Sequence, residues 1–342
     1  MADICVIGGS GFIGTRLCRR FDEAGRDFLL VDKRQSQTFP DKTIIADVRD
    51  IDALRKVVKG VAIINLAAEH RDDVTPRSLY DEVNVEGAKN VCRVAQENGI
   101  NKIIFTSSVA VYGFAEPNTD ENGKFAPFND YGRTKMLAEQ VYRSWYERDP
   151  DNRCLVIVRP TVVFGEQNRG NVYNLLNQIA KGRFLMVGNG QNKKSMAYVE
   201  NVAAFLEHCL SFGPGLHIYN YVDKPDFAMN ELVQTVRKIL NNHRHALYST
   251  SQVFHFVSGI NLRIPYPLGY LAGKLFDLAS YLTSKKYPIS SIRIKKFCST
   301  TQFETSVSKT GFVPPVSLLE GLENTIKYEF IDKRKGQVFY TE

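Results

Sequence analysis

Residues 3–14, DICVIGGSGFIG, leave the chain few folds to choose from: an apolar, β-branched run enters a glycine-rich turn that opens straight into a helical pattern near 12–24. A strand that is apolar on both faces is covered on both sides, and a strand feeding a helix through a tight turn begins a right-handed βαβ unit. The same rhythm continues through the first half. Candidate strands at 27–32, 43–46, 61–66, 101–108 and 154–159 alternate with helical patterns near 50–58, 84–98 and 131–148. The fold class expected is α/β: a doubly wound parallel sheet of the Rossmann kind. Further on, 199–212 reads as a helix and 216–222 as a strand that rejoins the sheet, and helical patterns recur near 228–241, 267–284 and 316–330. The division expected is one domain from 1–165 with 199–222, and a smaller mixed α/β lobe from 166–198 with 223–342, lying over the sheet's carboxyl edge where such folds bind ligands.

The glycines Gly8, Gly11 and Gly14 let the backbone turn tightly and approach a pyrophosphate, which would rest on the helix N-terminal amides around Phe12 and Ile13. Asp32 ends the second strand, where a carboxylate takes the ribose hydroxyls of an adenine dinucleotide and repels a 2′-phosphate. The cofactor expected is therefore NAD, although Lys33 and Arg34 follow and could receive that phosphate. Asp47 and Val48, after the third strand, fall near the adenine. Leu66, Ala67 and Ala68 end the fourth strand with small residues where a dinucleotide passes close to the backbone.

Thr106-Ser107-Ser108 follows the fifth strand, and Tyr131-Gly132-Arg133-Thr134-Lys135 opens a helix beyond it. Tyr and Lys four residues apart share one helix face. A phenol is a poor base at neutral pH, but a neighbouring ammonium and a cationic nicotinamide ring both favour the phenolate. Ser108, at a strand's carboxyl end, could hold a substrate hydroxyl in line. Such a Tyr-Lys pair on a polar helix is weak evidence alone; its weight comes from the glycine turn upstream.

Taken together, GGSGFIG, Asp32, NLAA, FTSSVAVYG, YGRTK and RPTVVFG resemble the extended short-chain dehydrogenase/reductase superfamily along the whole chain. The resemblance implies Ser108, Tyr131 and Lys135 as the catalytic triad, with Asn84, Thr106 and Pro160 lining the cofactor beside Tyr131 and Lys135. It leaves three chemistries. In the 4,6-dehydratases an Asp-Glu pair follows the catalytic hydroxyl residue; here those positions are Val109 and Ala110, which move no protons. An epimerase needs only one base, a recycled cofactor and room for a flat ketone to turn over. A net dehydrogenase would use the same residues, and a non-catalytic dinucleotide sensor typically loses the Tyr or Lys that this chain keeps.

A longer resemblance covers most of the chain. LAAEHRDDVTP, RPTVVFGEQNRGNVYNLL, SMAYVENV, YNYVDKPD and KKYPISSIRIKKFCSTTQF are similar to the bacterial epimerases that act on N-acetylglucosamine diphosphate-undecaprenol in O-antigen synthesis. Nucleotide-sugar epimerases usually carry an Asn where this chain has Val162, which weakens a uridine-linked reading; a soluble UDP-sugar 4-epimerase stays as the alternative. Asn171 and Lys194 fall at other phosphate-side positions of that family. His70 and Arg71, in the run ending Asp72-Asp73, together with Arg293, are further candidates for sugar or diphosphate contact, and Asn168 and Arg169 are as open.

Net charge is +7, and its location matters more than its size. Residues 253–298 hold Arg263, Lys274, Lys285, Lys286, Arg293, Lys295 and Lys296 against one acid, Asp277. Within that stretch Leu268, Leu271, Leu275, Leu278 and Leu282 repeat at helical spacing, flanked by Tyr266, Tyr270 and Tyr281. Such a stripe is either core or an interfacial helix beside a bilayer. No nucleic-acid motif accompanies the basic residues, and six cysteines without metal spacing suggest buried thiols in a reducing compartment and no metal. The early strand leaves no room for a signal peptide, so the expectation is a cytoplasmic protein, peripheral at most. By family analogy it is a homodimer that pairs the helices near 86–98 and 131–148.

Overall fold

The computed structural model describes residues 3–71, 74–247, 263–283, 290–332 and 339–340. Asp72, Asp73, Lys285 and Lys286 therefore lie outside the described residues. The first six strands are β1 (Ile4–Ile7), β2 (Phe28–Asp32), β3 (Thr43–Ile45), β4 (Ala62–Asn65), β5 (Lys102–Thr106) and β6 (Cys154–Pro160). Next come β7 (Val162–Phe164), β8 (Met186–Val187) and β9 (Lys193–Tyr198), then β10 (Gly215–Tyr221), β11 (Asp223–Ala228) and β12 (Arg263–Ile264). The helices are α1 (Phe12–Glu23), α2 (Ile51–Val57), α3 (Leu79–Asp81), α4 (Gly87–Glu97), α5 (Asp130–Tyr146) and α6 (Asn171–Ala180). They continue as α7 (Val199–His208), α8 (Met229–Leu247), α9 (Tyr266–Thr283), α10 (Ser291–Cys298) and α11 (Leu318–Ile326).

Seven strands form one parallel sheet in the order β10-β6-β5-β4-β1-β2-β3. The order reverses between β1 and β4, and a doubly wound sheet opens a ligand crevice at that point, beyond the strands' carboxyl ends. Both faces are covered. Leu54 of α2, Val91 and Ala95 of α4, and Ala138, Tyr142 and Trp145 of α5 bury one face. Leu17 and Phe21 of α1, with Val202, Phe205 and Leu206 of α7, bury the other. All seven residues of β6 are buried, and each fully buried Val, Leu or Ile contributes about 1.5–3 kcal/mol.

The expected strands and helices of the first half are present to within a few residues. One boundary differs usefully: β5 stops at Thr106 rather than 108. Ser107 donates its amide to Val158 O at 2.7 Å, and Ser108 then leaves the sheet to cap a short turn over Val109–Tyr112, accepting from Ala110 N at 3.1 Å. The second half holds elements that periodicity did not expose. A three-stranded sheet, β11-β9-β7, pairs β7 with β9 in parallel and β9 with β11 antiparallel. With α6, α8 and α11 it encloses a separate core of Phe164, Leu176, Met196, Tyr198, Leu232 and Leu322.

Of the two readings of the leucine stripe, packing in the core is not what the structure shows. In α9 the buried residues are Gly269 and Gly273, whereas the five leucines are 55 to 71% exposed.

Candidate active site

The crevice begins at the glycine turn. Gly8 has φ +78, and a side chain there would place its Cβ 2.6 Å from Ala67 N. Gly14 likewise has no room for one, since its Cβ would meet Gly8 O and Gly9 Cα at 2.6 Å. These two positions bring β1, α1 and the segment after β4 close together, as a dinucleotide crossing the sheet edge requires. Gly11 occupies the N-cap of α1 and offers no side-chain acceptor, so the helix end has no internal cap. Phe12 and Ile13 lean on the core of the smaller lobe.

Asp32 sits against this turn. Its two carboxylate oxygens accept from Ser10 N and Arg34 N, each at 3.0 Å, and Lys33 beside it is exposed. Asp47 is held below the usual carboxylate range, first by hydrogen bonding to Arg49, at 2.8 Å through Nη2. Val48 is buried against Gly87. Leu66, Ala67 and Ala68 are half-buried at the end of β4. Pro160 closes β6 opposite Tyr221.

Asn84 reaches no open cleft with its amide: Oδ1 accepts from Glu69 N at 2.8 Å, and Nδ2 donates to Glu69 O and Thr134 Oγ1, each at 2.9 Å. It clamps the segment after β4 to α5. Thr106 differs, because its buried Oγ1 has no hydrogen-bond partner among the described residues. An unsatisfied buried hydroxyl costs about 1–3 kcal/mol, which a polar ligand in the crevice would relieve. The glycine cradle, the uncapped helix end and this hydroxyl all fit a bound dinucleotide.

Tyr131 stands in the first turn of α5, whose N-cap Asn129 accepts from Gly132 N at 3.0 Å. A Cβ on Gly132 would fall 2.4 Å from Ala110 O. Glycine between Tyr131 and Arg133 thus lets α5 lie directly on the turn that carries Ser108. Lys135, on the same face as Tyr131, is buried; its Nζ donates to Thr106 O at 2.7 Å and lies 6.0 Å from the Tyr131 ring centre. Burial pulls its pKa down to about 7, against the opposing effect of the Glu139 charge.

The floor beneath this pair had no counterpart in the sequence reading. Glu139 and Arg159 are fully buried and doubly hydrogen-bonded, at 2.8 and 2.6 Å. Ser107 Oγ donates to Glu139 at 2.6 Å, and Arg159 donates to Tyr112 OH at 2.5 Å. Two signals pointed there. Glu139 lies four residues past Lys135, and Arg159 is the lone charge in an apolar strand that must find a partner.

The proposed substrate contacts are scattered. His70 and Arg71 are exposed after β4, and Arg71 Nε lies 3.5 Å from Glu69. Asn171 is exposed at the start of α6. Lys194 is turned inward: Nζ donates to Lys296 O and Ser299 O at 3.0 and 2.6 Å, closing the carboxyl end of α10. Arg293 is exposed on α10. Asn168 is buried, and Arg169 pairs with Glu329 at 2.8 Å.

Residues 4–221 match the NAD dependent epimerase/dehydratase family. The chain is 49% identical, over 99% of its length and 98% of the relative's, to N-acetyl-alpha-D-glucosaminyl-diphospho-ditrans,octacis-undecaprenol 4-epimerase of Escherichia coli O157:H7. Its fold is similar to the UDP-N-acetylglucosamine 4-epimerase of Bacillus cereus, with a TM-score of 0.71, 15% identity, and 99% and 100% of the two chains covered. It is also similar to the UDP-glucose 4-epimerase of Thermus thermophilus solved with NAD, with a TM-score of 0.68, 18% identity, and 95% and 98% covered. These matches identify the chain as a member of the NAD dependent epimerase/dehydratase family.

Proposed function

We propose that this protein is a 4-epimerase that inverts C4 of N-acetylglucosamine carried on undecaprenyl diphosphate, giving the N-acetylgalactosamine-linked lipid for O-antigen or related surface polysaccharide. The observation that carries the reading is 49% identity, across nearly the full length of both chains, to a relative bearing that name. The Tyr131-Lys135 site supplies chemistry consistent with it. We assign NAD binding to 1–165 with 199–222, and sugar diphosphate binding to 166–198 with 223–342. The protein acts as a homodimer at the cytoplasmic face of the membrane.

Bound NAD supplies a reversible hydride acceptor for C4. Tyr131 takes the C4 hydroxyl proton and returns it after the ketone has turned over. Lys135, held by Thr106 O, favours the phenolate by its charge, and the phenolate in turn offsets the cost of a buried ammonium. Ser108 orients the hydroxyl. Val109 and Ala110 offer no acid or base, so the 4-keto sugar does not lose water. His70, Arg71, Asn171 and Arg293 are the assigned contacts to sugar and diphosphate, whereas the Lys194 ammonium is engaged by the carbonyls of Lys296 and Ser299.

Side-by-side incubation with N-acetylglucosamine diphosphate-undecaprenol and UDP-N-acetylglucosamine tests the reading. Conversion of the lipid-linked sugar with little turnover of the nucleotide sugar is expected. Turnover of the UDP-sugar alone would leave a soluble nucleotide-sugar epimerase in its place.

A further inference from the structure

Helix α9 is built inside out. A helix on a water-soluble surface buries its leucines and exposes its small and polar residues; Leu232 and Leu240 of α8 follow that rule at 1% and 0% exposure. In α9 the inward face is made by glycines. A Cβ on Gly273 would fall 2.8 Å from the backbone of Ser291, and one on Gly269 would fall 2.6 Å from Val187. Asp277, the helix's one acid, also faces inward and accepts from Ser291 N at 3.3 Å through each carboxylate oxygen. On the opposite side Leu268, Leu271, Leu275, Leu278 and Leu282 stand exposed, with Tyr281 at 84%. Among the described residues no helix is long and apolar enough to cross a membrane, so this face meets its environment side-on.

Charge indicates what that environment is. Lys274 lies on α9, while Arg293, Lys295 and Lys296 lie on the adjoining α10. Across 263–298 the only acid is Asp277, already engaged with Ser291. Exposed leucines on a helix that also carries tyrosine and lysine, beside a basic neighbour, match the acyl boundary and headgroup zone of an anionic bilayer. The basic residues of α10 also border the segment that leads into α5. Lys295 and Lys296 lie 4.6 and 4.8 Å from the ring centres of Phe114 and Phe128. Those rings stack at 4.7 Å and are 40 and 41% exposed. Phe128 precedes Tyr131 by three residues, and Phe114 follows the turn that Ser108 caps. A lipid surface held against α9 and α10 would therefore border the mouth of the crevice.

We propose that α9, with the basic residues of α10, docks the protein in the plane of an anionic lipid surface and presents the crevice to a diphosphate on a membrane-embedded carrier. The identity of that carrier rests on the function proposed above; the docking surface does not. The leucine face enters the acyl boundary, Lys274, Lys295 and Lys296 pair with lipid phosphates, and the substrate arrives laterally rather than from water.

The test is flotation of the full-length protein with vesicles of phosphatidylcholine, alone or mixed with phosphatidylglycerol. Binding to the mixed vesicles is expected, weaker on neutral vesicles and at raised salt. The triple variant Leu271→Ser, Leu275→Ser, Leu278→Ser should bind at least about tenfold more weakly. Its turnover of a water-soluble, short-prenyl N-acetylglucosamine diphosphate should match that of the parent. Parent protein that ignores both vesicles while converting the lipid-linked sugar in detergent overturns the docking and leaves the function standing. Vesicle binding with turnover of UDP-sugar alone does the reverse. A parent dimer that the triple substitution splits, without vesicle binding by either protein, makes this face an interface between copies and also overturns the docking.

Discussion

Helices α5 and α9 are nearly equal in length and opposite in construction. In α5 the buried face carries Thr134, Lys135 and Glu139 among its apolar residues, and each has a partner: Asn84 for Thr134, Thr106 O for Lys135, Arg159 and Ser107 for Glu139. In α9 the buried face is glycine and the leucines look outward. Both invert the ordinary rule that polar residues go out and apolar ones in. They do so for different reasons. A buried charge that is fully hydrogen-bonded makes a rigid, water-poor floor, whereas a large exposed apolar stripe is the kind of patch that marks an interaction surface. The inversion inside the protein lies on the helix assigned the proton transfer, and the one on its surface is the face proposed to dock.

The comparison breaks most visibly at Tyr131. Tyr131→Phe keeps the ring and removes the proton carrier, so turnover should fall about a hundredfold to ten-thousandfold, with NAD affinity, measured by calorimetry, near that of the parent. Unchanged turnover would remove α5 from the chemistry. Glu139→Gln should destabilise the fold by about 3–5 kcal/mol in denaturant unfolding, because the Arg159 guanidinium is left buried without its carboxylate. A loss under about 1 kcal/mol would mean the ion pair does not hold the floor.

Lys135→Met sharpens the electrostatic half. Burial puts the Lys135 pKa at about 7 against an ordinary 10.5, so between those values the unfolded chain binds more protons than the folded one. Stability of the parent should then rise with pH across that window, by up to about 1.4 kcal/mol per unit, relative to the Met variant. Parallel melting-temperature profiles for the two proteins would contradict the shift. The smallest effect belongs to α9: each leucine-to-serine change there should move fold stability by no more than about 0.5 kcal/mol. A cost of about 2 kcal/mol or more would show the leucines to be core after all.

How much of this the sequence disclosed depended on how local the signal was. The glycine turn, Asp32 and the Tyr131-Lys135 spacing are short-range features whose meaning survives without tertiary contacts, and the parallel sheet follows from its continuous apolar strands. The three-stranded sheet was hidden because β7 has only three residues and β11 contains Pro225, so neither carries a clean alternation. The Glu139-Arg159 pair joins a helix to a strand twenty residues away. Periodicity placed the stripe on α9 but could not say which side faces water; Gly269 and Gly273, four apart on the opposite face, carried that information. Lys194 fell where a phosphate ligand was expected, yet its ammonium is spent on carbonyls ending α10. That contact depends on a helix the sequence pattern did not reveal.

In the reaction proposed, C4 is oxidised and reduced again within one site, on a lipid-linked sugar. N-acetylglucosamine diphosphate-undecaprenol deuterated at C4, incubated with the enzyme and NAD, measures this directly. The expected product is N-acetylgalactosamine diphosphate-undecaprenol that retains the deuterium at C4, with no accumulation of reduced nicotinamide. Loss of the label to solvent, or reduced cofactor growing in proportion to substrate consumed, would contradict it.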